Sequence, residues 1–489
     1  MSIFKQKVLL QRIGSGLLVF VAVALRSRQF LFNRSLWGDE AMLALNIVNR
    51  DFAGIFKPLM FQQSAPLGFL FVEKLLVTIF GYHDFILRLY PFLAGLAAVF
   101  VMAWLAKRLF PGWAALVALG LFAFSWQSVY YASEVKQYSS DVLFTLLIFV
   151  AAQCCVAAAV PRRNWIWLMG TGTLALWMSH PSLFSLAAVV MVLGVVNLRA
   201  KNGRHLLYLL ATSLFWAIHF ICTYVLSLRY SADSKMLHDY WLKAFMPLPP
   251  WNDWGWFARS AEMIFENLLN MPFIPGAALL TVGVFIMFRR NPKTAALWLL
   301  PILAALATSA LGKYPFWTRF LLFSLPALCF FAAVGIRALH QTVTHFSPKA
   351  GYAVSASILL LMLWQPVAFG ANKFLHPENK NNIKSIMACL RDNRRSRDTI
   401  YVHYASKRPF LYYAYAYGLV GKKVWLGTRA KESPAPLFKN IDRLAGRSRV
   451  WFLFANRYLS DRFNHEKIML KYLDRLGVQR KKFRATGAS

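Results

Sequence analysis

Eleven apolar runs, near 13–32, 89–106, 113–131, 141–159, 164–179, 183–198, 206–226, 273–288, 294–311, 320–338 and 350–370, constrain this chain more than any other feature. Most approach the roughly 17 to 25 residues that a helix needs to cross a bilayer. Backbone polar groups in hydrocarbon must be satisfied within the segment, so such runs become helices. The expected class is therefore a polytopic α-helical membrane protein, and 58% hydrophobic residues over a length of 489 exclude an ordinary soluble fold. A formal charge of +35 would suit nucleic acid. Many of the Lys and Arg residues, however, sit in short links between apolar runs, where they set topology, and no nucleic-acid partner is expected. The five Cys are scattered, with Cys154, Cys155, Cys222 and Cys329 inside apolar runs, which indicates neither a disulfide framework nor a Cys-based zinc site. The first run follows Lys5, Lys7 and Arg12, carries Arg26 and Arg28, and lacks a small-residue cleavage site; it reads as a retained helix.

With the N-terminus cytoplasmic, the links at 107–108, 161–164, 199–205, 289–293 and 337–349 fall inside, and each is basic, as the positive-inside rule requires. That parity holds only if Pro66 to Phe80 does not span. The stretch is short, carries Glu73 and Lys74 in its middle and ends at Gly81, so it reads as a helix in the outer interface. The outer segments, at 33–88, 132–140, 180–182, 227–272, 312–319 and beyond Gly370, then hold most of the unusual residues. Chemistry is expected on that face. After Gly370, Asp398 to Tyr404 and Arg449 to Phe454 read as buried strands, each followed by a helical pattern, Lys407 to Tyr417 and Asp461 to Leu476. The expected organisation is a transmembrane domain over 1–370, with 33–88 as its first outer loop and interfacial helices, and a small α/β domain over 371–489 outside. The latter is strongly basic, which suits an anionic membrane surface or glycan as readily as plain solvent.

Three constellations carry candidate chemistry. Trp37-Gly38-Asp39-Glu40 opens a helix over Ala41 to Val48: Asp39 suits an N-cap and Glu40 the helix dipole, while a carboxylate at a membrane surface also suits a general base for an acceptor hydroxyl. In the segment 132–141, Glu134, Tyr138 and Asp141 share one face if helical, with Lys136 pointing elsewhere. Ionisable groups at membrane depth usually face a cavity, against the plainer reading of interfacial anchoring. In the segment 313–319, Lys313 and Arg319 suit a phosphate clamp, whereas Tyr314, Phe316 and Trp317 read as an aromatic belt. Gln62, Gln63 and Ser64 offer amide and hydroxyl groups to the same cavity or to solvent. His83 and His180 are lone histidines at helix ends; no metal and no cofactor is expected.

The order of these pieces over about the first 340 residues resembles the membrane glycosyltransferases of the GT-C fold, in the branch of protein O-mannosyltransferases and bacterial aminoarabinose (lipid A sugar) transferases. The resemblance rests on Leu36-Trp37-Gly38-Asp39-Glu40-Ala41, Ala65-Pro66-Leu67-Gly68 before a helix ending in Phe80-Gly81, Arg88-Leu89-Tyr90-Pro91, Ala106-Lys107-Arg108-Leu109-Phe110 and Tyr131-Ala132-Ser133-Glu134-Val135-Lys136-Gln137-Tyr138. It implies a GT-C-like transmembrane domain in the bacterial inner membrane, with its active site and C-terminal domain on the periplasmic side. It implies inverting transfer of a sugar from a polyprenyl-phosphate donor to an outer-face acceptor: lipid A, another polysaccharide or a protein. Asp39, beside Glu40, occupies the family's catalytic carboxylate position, and Asp141 matches a second acidic one. Lys136 and Arg319, with Lys313, would face the donor phosphate, and Glu134, Tyr138, Gln63 and His180 would line the cavity. Where aminoarabinose transferases carry an acidic-basic pair before the proline motif, this chain has Gln62, Gln63, Ser64 and Ala65, so neither metal use nor a charged donor sugar is implied. The competing readings are a transporter or flippase, or an assembly protein, for lipid-linked glycans. Charges crowd the outer ends rather than the midplane and no repeat is visible, which favours the enzyme.

Overall fold

The computed structural model describes residues 3–110, 112–157, 160–420, 423–430, 433–455 and 464–489. The chain packs as two compact units, one formed by Met1–Leu31 with Arg50–Pro377 and the other by Phe32–Asn49 with Glu378–Ser489. The segment 32–49, expected with the transmembrane part, thus packs with the C-terminal residues.

The first unit is helical. Eight of its described helices are long and apolar enough to cross a membrane: Val8–Leu31, Leu89–Leu109, Ser182–Arg199, Gly203–Ala232, Phe273–Arg290, Pro292–Ala310, Leu322–Phe346 and Pro348–Leu375. The protein is an integral membrane protein. The runs at 113–131, 141–159 and 164–179, expected as three further spans, form shorter helices. Ala114–Phe124 stops at Ser125, whose backbone turns extended and whose hydroxyl donates to the Leu268 carbonyl at 2.8 Å. The chain restarts as Trp126–Tyr131, with the Trp126 N–H capped at 3.0 Å by the Asn270 side chain. Tyr138–Gln153 has 16 residues and Arg162–Met178 has 17.

Apolar residues appear on the outside where lipid replaces water. Leu207, Leu210, Leu214, Ile218 and Ile221 recur at helical spacing and are all exposed, the pattern of a lipid-facing stripe. Packing inside relies on close approach of small residues. Phe273–Arg290 and Leu322–Phe346 meet at Gly283 and Gly335, where a Cβ on either glycine would collide with the Phe331 or Leu279 carbonyl of the facing helix. Arg26, within the first span, is fully buried and donates to the Ala22 carbonyl at 3.0 Å and the Ser128 hydroxyl at 2.7 Å, with Phe122 beneath its guanidinium. The Leu67–Phe80 helix has 14 residues, too few to cross. Gly68 seats its first turn against the backbone of Trp177, where a side chain would not fit.

The second unit carries a three-stranded parallel sheet in the order β2-β1-β3, formed by β1 (Thr399–Val402), β2 (Val424–Leu426) and β3 (Val450–Leu453). Parallel neighbours require crossovers. Lys407–Tyr413 lies between β1 and β2, and Ala435–Asp442 between β2 and β3. The expected strands correspond to β1 and β3; β2 adds an edge. His465–Leu473 takes the last helical pattern, of which 461–463 lie outside the described residues. Tyr401, Leu437, Ile441, Phe454 and Met469 form the core.

Candidate active site

In the first unit, polar side chains converge where the Leu67–Phe80, Leu89–Leu109 and Tyr138–Gln153 helices meet the Ser179-His180-Pro181 link. The geometry starts at Gly95, which lets the Leu89–Leu109 helix press against Ala132 and Ser139. That closeness brings the Tyr90 and Ser140 hydroxyls to 2.5 Å. Asp141 follows in the first turn of the Tyr138–Gln153 helix, buried, with the Ser179 side chain beside one oxygen and no hydrogen-bond partner on Oδ1. His180 comes next in the link, and burial pulls its imidazole down to about 4, so it is neutral near pH 7. Tyr314 lies within the field of Asp141 and Tyr138; burial first, and those two groups second, hold its phenol well above the usual range.

The segment before this helix departs from the expected single face. Residues 132–136 form a tight turn, with the Lys136 N–H on the Glu134 carbonyl at 2.6 Å, so only Tyr138 and Asp141 share the helix. Glu134 is buried within the turn. Lys136, expected to point elsewhere, is buried as well, and its ammonium donates to Gln63 Oε1 at 2.6 Å. Two sequence candidates thus meet directly. Gln62 accepts from Ser234 and Ser64 donates to Ser231, closing a polar cavity of about 180 Å³ that Lys57, Gln63 and Tyr230 also line.

The segment 313–319 splits. The half-buried Arg319 stacks over Trp241 at 4.9 Å and Phe320 at 5.3 Å. Lys313 is exposed and lies 3.8 Å from Asp233. Tyr314 is no belt residue: its hydroxyl donates to the Phe320 carbonyl at 2.8 Å and its ring stands edge-on to Phe184. Tyr314 is partly buried and Phe316 fully so, which leaves Trp317 as the exposed aromatic. The belt expectation fails for the first two because both turn into the protein core.

In the second unit, Asp39 and Glu40 occupy the first turn of the Gly38–Asn49 helix. Glu40 is fully buried and paired with Arg34, itself buried, and accepts from the Trp37 N–H at 3.4 Å. Asp39 is half-buried. The segment is held by several side chains of the C-terminal part. Tyr413 accepts from the Leu36 N–H at 2.8 Å, Lys384 donates to the Asn33 carbonyl at 2.9 Å, and Lys380 lies over the Trp37 ring at 4.6 Å. A cavity of about 470 Å³ in the same unit, lined by Arg449, Trp451, Lys481 and Phe483 among others, includes none of the expected site residues.

Among the described residues, no group of three His, Cys, Asp or Glu side chains is placed to hold a metal ion. One buried group went unforeseen. Glu73, in the Leu67–Phe80 helix, has no exposed surface and no hydrogen-bond partner on either oxygen, and burial raises its carboxyl well above the normal range. The signal was a charge in the middle of an apolar helix.

No protein-family model matches the chain, and no curated protein sequence matches it. The crystal structure of ArnT from Cupriavidus metallidurans in the apo state superposes with a TM-score of 0.50 at 13% identity, over 92% of this chain and 90% of that one. The chain has the ArnT fold, a GT-C fold. ArnT bound to undecaprenyl phosphate gives a TM-score of 0.49 at 13% identity, covering 91% and 89% of the two chains. The Archaeoglobus fulgidus oligosaccharyltransferase in complex with Zn and sulfate gives 0.47 at 12% identity, covering 82% of this chain and 61% of that one. At these identities the likeness to ArnT speaks to fold, and the chemistry must be argued from the residues.

Proposed function

We propose that this protein is an inverting glycosyltransferase that moves a sugar from a polyprenyl-phosphate donor to an acceptor hydroxyl on the outer face of a bacterial inner membrane. The observation that carries the reading is the ArnT-like fold over nine-tenths of the chain. Support comes from the buried polar cluster around Tyr90, Ser140, Asp141 and Ser179, which is more than an inert helical bundle needs.

Asp39 acts as the general base, taking the proton as the acceptor oxygen attacks the anomeric carbon. Glu40, paired with Arg34, holds the loop instead of sharing the chemistry. The bond from anomeric carbon to phosphate oxygen breaks as the new glycosidic bond forms, and negative charge grows on the departing polyprenyl phosphate. Lys136 and Arg319 stabilise that charge. Lys313, already beside Asp233 at the surface, contributes less. Asp141, Glu134, Tyr138, Gln63 and His180 line the donor's path. Lipid A, another polysaccharide or a protein is the acceptor.

The test compares, by mass spectrometry, the surface glycans and lipid-linked sugars of a deletion strain complemented with wild type or Asp39→Asn. Loss of one sugar from both the deletion and the Asp39→Asn strain, with its lipid-linked donor persisting, is the expected result and names the sugar by mass. Full restoration by Asp39→Asn overturns the assignment of the base.

A further inference from the structure

Glu73 is an isolated carboxyl group where none belongs. A buried polar atom without a partner costs about 1–3 kcal/mol, and native proteins keep few of them. Glu73 has two such atoms on one side chain. A Leu would fill the same buried place at no such cost, so packing alone does not account for it.

Its surroundings define what would satisfy it. Phe69, one turn earlier on the same helix face, stands edge-on to the Tyr90 ring at 5.7 Å. Tyr90 lies within the field of both Glu73 and Asp141, and its hydroxyl meets Ser140. Asp141 likewise keeps one oxygen without a hydrogen bond. The cluster thus joins two incompletely bonded carboxyl groups, a Tyr–Ser hydroxyl pair and the rings of Phe69 and Tyr90. We propose that Glu73 is a specificity residue that recognises neutral sugar hydroxyls, reading the sugar moiety of the lipid-linked donor from the Leu67–Phe80 helix. The inference rests on the transferase reading above.

The chemistry favours a neutral polyol over a cation. Burial favours the protonated form of the Glu73 carboxyl, which offers one O–H donor and one carbonyl acceptor, the complement of a hydroxyl pair. Aromatic rings suit the apolar face of a sugar ring. A site whose buried polar groups must be matched rejects an analogue lacking the hydroxyl far more strongly than a purely apolar pocket does.

The experiment measures binding of undecaprenyl phosphate, bare or linked to glucose, galactose or mannose, to full-length protein in detergent, for wild type, Glu73→Gln and Glu73→Leu. Thermal melting is followed in parallel. In wild type, at least one sugar-bearing lipid should bind more tightly than the bare carrier. Glu73→Leu should erase that advantage, about 10- to 100-fold, while leaving bare-carrier binding unchanged and melting no lower than wild type. Glu73→Gln, which keeps a donor and an acceptor, should retain most of it. A sugar advantage that survives in Glu73→Leu overturns the role of Glu73 and leaves the transferase reading standing. Wild type that binds neither bare nor sugar-linked carrier overturns both.

Discussion

At the scale of single residues, the two adjacent carboxylates of the Trp37-Gly38-Asp39-Glu40 segment separate into different roles. Glu40 and Arg34 are a buried pair, and removing one partner of such a pair leaves an uncompensated charge at a cost of about 3–5 kcal/mol. Glu40→Ala should therefore lower the melting temperature in detergent strongly, Asp39→Asn should leave it within a degree or two, and Arg34→Met with Glu40→Leu should recover most of the loss. Equal melting of Glu40→Ala and wild type would contradict this division. His180 gives a pH dependence. Its folded-state pKa, about 4, lies below the ordinary 6.5, so the unfolded chain takes up a proton first as the pH falls. Stability present above pH 6.5 is lost as the pH drops towards 4, by at most about 1.4 kcal/mol per pH unit. Thermal melts of His180→Gln between about pH 7 and pH 4 should show a flatter slope than wild type, and an identical slope removes His180 as the cause. The identities of Asp39, Asp141, Lys136 and Gln63 as polar groups in an apolar chain are legible in the sequence. The meeting of Lys136 with Gln63, 73 residues apart, is not, because a tight turn at 132–136 redirects a side chain that helical spacing points away.

At the scale of elements, helix contact through glycine is a sharp constraint. Gly283 and Gly335 allow the Phe273–Arg290 and Leu322–Phe346 helices to approach until each glycine meets the other helix's backbone. Gly283→Ala should lower stability by about 1–3 kcal/mol, the usual cost of overpacking, because a backbone carbonyl cannot rotate aside as a flexible side chain would. Melting of Gly283→Ala in detergent, with Gly16→Ala on an open helix face as the control, checks this; equal melting of the two variants would show that the crossing tolerates a methyl group. Neither glycine stands out in the sequence, where each is one small residue in an apolar run. The long spans are legible because hydrophobic length alone demands them. The break at Ser125 is not, since it depends on Leu268 and Asn270 accepting hydrogen bonds from Ser125 and Trp126, 143 and 144 residues away. Strand β2 is missed for another reason: three residues, none fully buried, show no alternation to read.

At the scale of the whole molecule, the proposed sidedness rests on the order of basic links and apolar runs. In that proposal the positive-inside rule puts the link at 199–205 in the cytoplasm, and the parity of the eleven runs puts everything after Gly370 outside. Parity is a demanding argument, because one misassigned helix inverts every segment beyond it. The Leu67–Phe80 helix is that critical element: at 14 residues it spans about 21 Å, short of the roughly 30 Å of hydrocarbon that a crossing helix must cover. If it does not cross and the shorter helices of the runs at 113–131, 141–159 and 164–179 do, the C-terminal residues lie on the side opposite the N-terminus. In a variant with all five native Cys replaced, Cys introduced at Ser433 should react with a membrane-impermeant maleimide on intact spheroplasts, whereas Cys introduced at Lys201 should react only after permeabilisation. Both positions are solvent-exposed, so accessibility of the thiol reports sidedness rather than burial. Labelling at Lys201 without permeabilisation would invert the assignment and move the proposed chemistry to the cytoplasmic face. Protection of Ser433 together with Lys201 would instead mean that an even number of crossings separates them, against the five long spans between Gly203 and Leu375.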